Sequence, residues 1–156
     1  MGVYLIDSTQ GKMSYYLNVL QTTRAVSCDP QGRQTYRTQV LLGSQAPADA
    51  ATTLPDYVLG PGFKPQGSIR MNVVLLGPAG GSAPVASALG APVATRSFEL
   101  FGRPAAQAVV ELAPGDSFPL TFETVGAPGQ RYDLDFTMTP TIRYASPQRT
   151  VPSACG

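Results

Sequence analysis

Two observations predict an all-β fold, an antiparallel β-sandwich of the immunoglobulin-like kind with about eight or nine strands. Apolar and polar residues alternate in run after run, most clearly over 107–139, which reads QAVVEL-APGDS-FPLTFETV-GAPGQ-RYDLDFTMT. The 15 prolines and 16 glycines are spread along 156 residues, and that mixture favours many short strands and turns over long helices. The length suits one domain, 1–156, with a worthwhile core.

The elements follow in order. Residues 3–6 read as a short apolar strand, and Asp7-Ser8-Thr9-Gln10-Gly11 as a turn whose side chains bond their own backbone. Over 12–28 the chain is extended, with Met13, Tyr15, Leu17 and Val19 on one face; a break in rhythm at 20–23 marks a bulge or a switch between sheets. Asp29-Pro30-Gln31-Gly32 has the composition of a type I turn. The return strand, 33–43, turns Tyr36, Thr38, Val40 and Leu42 inward and Arg33, Thr35, Arg37 and Gln39 outward.

Residues 44–67 form the longest connection. Thr53 is expected to cap a helical turn holding Pro55 and Asp56, which Gly60-Pro61-Gly62 ends, while Tyr57 and Phe63 pin the loop to the sandwich. A strand over 68–76 becomes apolar on both faces near its end, and 84–89 with 92–100 make a hairpin around Gly90-Ala91. The three runs of 107–139 read as a β-meander forming one wall, joined by type II turns at Pro114-Gly115 and Pro128-Gly129. Pro119 cannot donate to a ladder, so its strand lies at an edge or starts there. Beyond Pro140, Ile142 and Tyr144 resume the pattern.

Chemistry is sparse. The chain has no histidine, which removes the usual general base and the commonest metal ligand; a Ser-His-Asp or Cys-His site needs a partner from another chain. The 60–62 Gly/Pro loop lacks the Lys-Ser/Thr and following helix of a phosphate cradle. Asp133 and Asp135 share a strand face and can serve as paired carboxylates or calcium ligands, but a solvated polar face accounts for them more simply. Glu111 and Glu123 are expected to be neighbours across the 114–115 turn. No cofactor or metal is expected, and the chain reads as not an enzyme.

Net charge is +1 with 13% charged residues, so nothing favours nucleic acid as a partner. Arg33, Arg37 and Arg70 form a modest outward stripe able to meet an acidic polysaccharide, or simply a wet sheet face. No apolar run is long enough to span a bilayer, and the start is not a signal peptide. Cys28 and Cys155 stand far apart, either bridged in an oxidising compartment or buried as two separate thiols.

Several stretches resemble one actinobacterial family of unknown function. They are Gly2-Val3-Tyr4-Leu5-Ile6-Asp7 leading to Lys12-Met13-Ser14-Tyr15-Tyr16-Leu17, then Val26-Ser27-Cys28 before Asp-Pro-Gln-Gly-Arg-Gln. Ala46-Pro47-Ala48-Asp49 with Leu54-Pro55-Asp56-Tyr57-Val58, and the final Ala154-Cys155-Gly156, complete the likeness. The chain is similar to the C-terminal part of these membrane-anchored cell-envelope proteins over essentially its whole length. The resemblance implies an extracytoplasmic domain of a longer anchored parent and a Cys28–Cys155 bridge; it brings no catalytic residues.

The expected function is therefore a non-catalytic extracytoplasmic structural or interaction module that contacts cell-wall polysaccharide or another envelope protein. The alternative is a self-assembling coat, pilus or decoration subunit whose edge strands pair between chains. The residues singled out for an interaction surface are Tyr57, Phe63, Arg33, Arg37 and Arg70, with the 44–67 loop and the sheet edges as the places where a partner would bind.

Overall fold

The computed structural model describes residues 1–62, 65–143 and 148–155, and it is an all-β sandwich. The described residues form twelve strands in place of eight or nine: β1 (Gly2–Asp7), β2 (Leu17–Cys28), β3 (Gln34–Ser44), β4 (Ile69–Leu76), β5 (Val85–Ala88), β6 (Ala91–Val93), β7 (Arg96–Leu100), β8 (Arg103–Leu112), β9 (Ser117–Val125), β10 (Leu134–Asp135), β11 (Thr137–Met138) and β12 (Thr150–Val151). One sheet has the order β11-β1-β4-β8-β7 and the other β2-β3-β9-β5-β6, with β10-β12 as a separate pair. Every pairing is antiparallel except β1 with β11.

Strand alternation builds the core. Val3 and Leu5 of β1, Ile69, Met71, Val73 and Leu75 of β4, and Ala106 to Leu112 at every second position of β8 face inward from the first sheet. Leu17 and Val19 of β2, Tyr36, Val40 and Leu42 of β3, and Leu120 and Phe122 of β9 meet them from the second. The β3 expectation holds residue by residue: Tyr36, Thr38, Val40 and Leu42 are buried, and Arg37 and Gln39 are exposed. Thr38 is tolerated inside because its hydroxyl bonds that of Thr23 at 3.0 Å. The two-faced end of β4 is also real, since Val74 and Leu76 join Ala105 and Phe98 in a second cluster.

The turns obey their chemistry. The Gly32 N–H donates to the Asp29 carbonyl at 2.9 Å, and the Arg33 N–H donates to Asp29 Oδ1 at 2.8 Å. At Pro114-Gly115 the Asp116 N–H reaches the Ala113 carbonyl at 3.0 Å, with Gly115 at φ +83°, the positive value a type II turn demands.

The meander does not form. β8 lies in the first sheet, β9 in the second, and the third run breaks into β10 and β11, two residues each, in two different sheets. Alternation specifies which face of a strand is buried, but a tight turn can either lay the next strand alongside or cross to the opposite layer. Here Pro114-Gly115 crosses. Glu111 and Glu123 consequently part: Glu111 sits opposite Arg70 in the β4–β8 register, and Glu123 binds Arg37 at 2.7 Å.

Smaller corrections follow from local bonding. The irregularity of β2 falls between Ala25 and Ser27, later than 20–23. Residues 13–16 form a 3-10 turn (Met13–Tyr16), so Tyr15 leaves the face of Leu17 and is 49% exposed. In the long connection, α1 (Ala50–Thr53) and α2 (Asp56–Leu59) are single helical turns. Thr53 ends the first and caps nothing: its hydroxyl bonds back to the Asp49 carbonyl at 3.0 Å. Tyr57 does not pin the loop, being 71% exposed; Leu59, 2% exposed, and the Lys12 N–H bond to the Val58 carbonyl do so. Pro119 lies in β9, which β3 and β5 flank. β5 pairs only with Thr121 to Glu123, however, so at Pro119 the strand has β3 alone beside it.

Candidate functional site: a tyrosine-rimmed cleft at the seam of the sandwich

Cys28 ends β2 and is bonded to Cys155 (S–S 2.05 Å, Cα–Cα 5.2 Å), so the bridge expected from the family resemblance is present. Gln34, fully buried, secures the same corner. Its Nε2 donates to the Gln130 and Tyr132 carbonyls, and its Oε1 accepts the Ala154 N–H at 2.7 Å. Asp133 is part of this clasp, since its Oδ1 accepts the Ser153 N–H at 2.8 Å. That structural task explains Asp133 without calcium, and among the described residues no group of three or more His, Cys, Asp or Glu is placed to hold a metal ion.

The expected arginine surface is divided. Arg33 pairs with Asp29 and Arg37 with Glu123, each at 2.7 Å. Arg70 is on β4, in the other sheet, and so cannot extend their row. The stripe rested on all three pointing outward, which is true of residues on opposite outer faces of a sandwich as well. Phe63 and Tyr144 lie outside the described residues.

What the fold does assemble is a cleft of about 560 Å³ where the two sheets part. Its floor is core: Leu5 from β1, Met71 from β4 and Leu17 from β2. One rim comes from the 3-10 turn, Tyr15 and Tyr16, whose rings meet edge to face at 5.2 Å. Tyr57 and Val58 of α2 form a second side. The third is the strap Thr139-Pro140-Thr141-Ile142. This strap is tied to the first sheet where the Thr139 N–H donates to the Val3 carbonyl and the Leu5 N–H donates to Thr139 Oγ1, both at 3.1 Å. It is tied to the second where Arg143 bridges Asn18 of β2.

The polar groups are few and distinct. Asp7 Oδ1 accepts the Thr9 N–H at 2.8 Å and its hydroxyl at 2.6 Å, which fixes the turn after β1. Asp7 Oδ2 and Thr141 Oγ1 are each sealed from solvent and have no hydrogen-bond partner among the described residues. Lys12 also lines the cleft, and Arg143 lies over the Tyr15 ring at 5.6 Å, its guanidinium held by Gln45. A concave, mostly apolar site of this size is the form that small-molecule binding sites take.

Of the described residues singled out from sequence as an interaction surface, Tyr57 alone lines the cleft. Tyr15, Asp7 and Thr141 were missed because each is unremarkable alone: one lay in an assumed strand, one in a turn, one in a tail. The available signal was a pair of adjacent tyrosines at the foot of a strand, more aromatic surface than a wet strand end needs.

Comparison with protein-family models, with curated proteins and with solved structures finds no match to this chain.

Proposed function

We propose that the domain is a non-catalytic interaction module of an extracytoplasmic cell-envelope protein, and that it meets its partner through the tyrosine-rimmed cleft. The observation that carries this reading is convergence. A strand from near the start of the chain, the long connection and a strap from near its end all contribute to one apolar cavity, where Tyr57 is 71% and Ile142 72% exposed. The Cys28–Cys155 bridge supports an oxidising compartment, and no helix among the described residues is long and apolar enough to cross a membrane. The sequence resemblance to membrane-anchored actinobacterial envelope proteins supports the same location.

The test is co-sedimentation of the purified domain with actinobacterial cell-envelope material. Wild-type protein should pellet with the envelope fraction, and a Tyr15→Ala/Tyr57→Ala variant should stay in solution. Equal behaviour of the two proteins would end this reading.

Self-assembly lacks comparable support. The twelve residues of β2 make the longest edge of its sheet, and Arg143 and Gln148 already bond that edge within the chain.

A further inference from the structure

We infer that β7 is a strand-addition site. An extended segment of a different protein, apolar on one side and carrying one basic and one acidic residue, pairs antiparallel with it. This edge shares no residue with the cleft, so the inference goes beyond the cleft reading.

The two five-stranded sheets have four terminal strands, and three of them are blocked. Gln148 occupies the N–H and the carbonyl of Thr23 in the middle of β2, and Arg143 bridges Asn18. β11 is two residues long, and past it Thr139 Oγ1 takes the Leu5 N–H of β1. The β5–β6 hairpin closes on Ala88 opposite Ala91, so the residue that β6 turns away from its partner is Pro92, which has no N–H. β7 has none of these devices. Its two-residue turn closes on Leu100 opposite Arg103, and bonded pairs then recur at Phe98–Ala105 and Arg96–Gln107. Pro104 fixes that phase, since it has no N–H for Glu99 and its carbonyl accepts the Gly77 N–H at 2.8 Å. Ser97 and Glu99 therefore direct their N–H and C=O groups away from β8, and none of the described residues bonds them.

The side chains of β7 choose the occupant. Arg96, Phe98 and Leu100 share the outer face of the sheet, and Ser97 and Glu99 the other. Phe98 packs on Val74, Leu76 and Ala105, and Leu100 is 38% exposed, so an incoming strand needs apolar residues opposite both. Arg96 and Glu99 are exposed and form no ion pair among the described residues, so it needs an acid opposite the first and a base opposite the second. Antiparallel to β7, the complementary segment reads apolar, basic, apolar, polar, acidic. A second copy of this chain does not supply it. The terminal strand it leaves open is β7, and two-fold pairing of β7 with itself sets residues of the same face opposite each other, whereas Arg96 and Glu99 lie on different faces.

The turn beside this edge carries a cost that packing does not explain. Phe101 and Gly102 have φ +52° and +69°, a pair of values that suits Asn-Gly, and Phe101 is 90% exposed. An apolar side chain kept at the tip extends the surface open to the incoming strand past Leu100.

The experiment is an NMR titration of the isotope-labelled, disulfide-intact domain with the capped peptide Leu-Val-Lys-Val-Thr-Glu-Thr, whose Lys falls opposite Glu99 and whose Glu falls opposite Arg96. The controls are its charge-exchanged form, Leu-Val-Glu-Val-Thr-Lys-Thr, and a form N-methylated at the Lys and at the Thr that follows the second Val. The first peptide should bind saturably and slow hydrogen exchange at the Ser97 and Glu99 amides. The charge-exchanged form should bind about tenfold more weakly, and the N-methylated form should not bind. An Arg96→Glu/Glu99→Arg variant should reverse the preference between the two charged forms. Ser97→Pro, which deletes an outward N–H and leaves the β8 ladder whole, should fold as wild type and lose binding. Phe101→Asn should raise the melting temperature while weakening binding. The inference is overturned if the first peptide shows no saturable binding, if N-methylation or charge exchange makes no difference, or if Ser97→Pro or Phe101→Asn binds as well as wild type. It is equally overturned if light scattering shows the free domain dimerising through an edge that Ser97→Pro disrupts, because the partner is then a second copy. None of these outcomes moves the envelope co-sedimentation of Tyr15→Ala/Tyr57→Ala, which decides the cleft reading on its own.

Discussion

The side-chain amide of Gln148 pairs with the backbone of Thr23 as a neighbouring strand would: Oε1 accepts the Thr23 N–H and Nε2 donates to the Thr23 carbonyl, both at 2.8 Å. An edge strand with free N–H and C=O groups is a template for another chain, and one glutamine blocks the middle of β2. Gln148→Ala should cost about 1–2 kcal/mol, because it removes both bonds to Thr23 and those to Gln21 and the Thr150 carbonyl at a partly exposed site. It should also let the domain dimerise as concentration rises, which urea titration and light scattering together will show. A variant that stays monomeric and as stable as wild type would mean that the amide has no protective role.

Two glycines in the same connection allow a controlled comparison. Gly60 has φ +83°, and a Cβ there would stand 2.3 Å from the Thr9 carbonyl oxygen; Gly62 has φ +80° and nothing within 4 Å. Alanine at Gly62 should cost about 1 kcal/mol of backbone strain, whereas alanine at Gly60 adds a clash with main chain and should cost at least about 2 kcal/mol more. Equal losses in chemical denaturation would show that α2 does not depend on its close approach to the turn after β1.

Tyr36 is 1% exposed and its hydroxyl has no partner among the described residues. Burial, and secondarily the neighbouring Tyr132, push its phenol up to about 12 from the ordinary value of 10.0. The raised value means that folding favours the neutral form. The stability tied to Tyr36 is fully present below pH 10 and is lost as pH climbs through about 12. Spectrophotometric titration at the phenolate band should show one tyrosine ionising last, together with unfolding. Tyr36→Phe should remove that alkaline step and leave stability at pH 7 unchanged or up to about 1 kcal/mol higher, because it deletes an unpaired buried hydroxyl.

The bridge joins residues 127 apart in sequence. On the chain-entropy account, closing so long a loop stabilises by about 4–5 kcal/mol, so Cys28→Ser/Cys155→Ser should lose most of that amount. Non-reduced peptide mapping of wild-type protein should recover the linked pair, and free thiols at both positions would contradict the geometry.

How much of this could be read in advance depends on the range of the interaction. Strand β3 was legible because its alternation and its Asp29-to-Gly32 turn are properties of neighbouring residues. The fate of 107–139 was not, because which sheet receives β9 is decided by its pairing with Thr35 to Gly43, some eighty residues earlier. Arg37 and Arg70 look alike in sequence and lie in different layers for the same reason. The cleft was the least legible feature, since Asp7, Tyr15, Tyr57 and Thr141 share no local pattern and meet only through the closing of the sandwich.

That closing has a kinetic side. The contact between Leu5 and Thr139 spans 134 residues, so the strap can dock only after most of the chain is in place, and a topology so dominated by distant pairings folds slowly. The cleft is consequently absent from partly folded chains. Any molecule that occupies it binds the finished domain alone and draws the population toward it, by about 2.7 kcal/mol at a hundredfold excess over its dissociation constant. Occupancy of the seam would then act as a clasp: it would slow the release of the strap, and with it resistance to proteases would rise and fall with the supply of ligand.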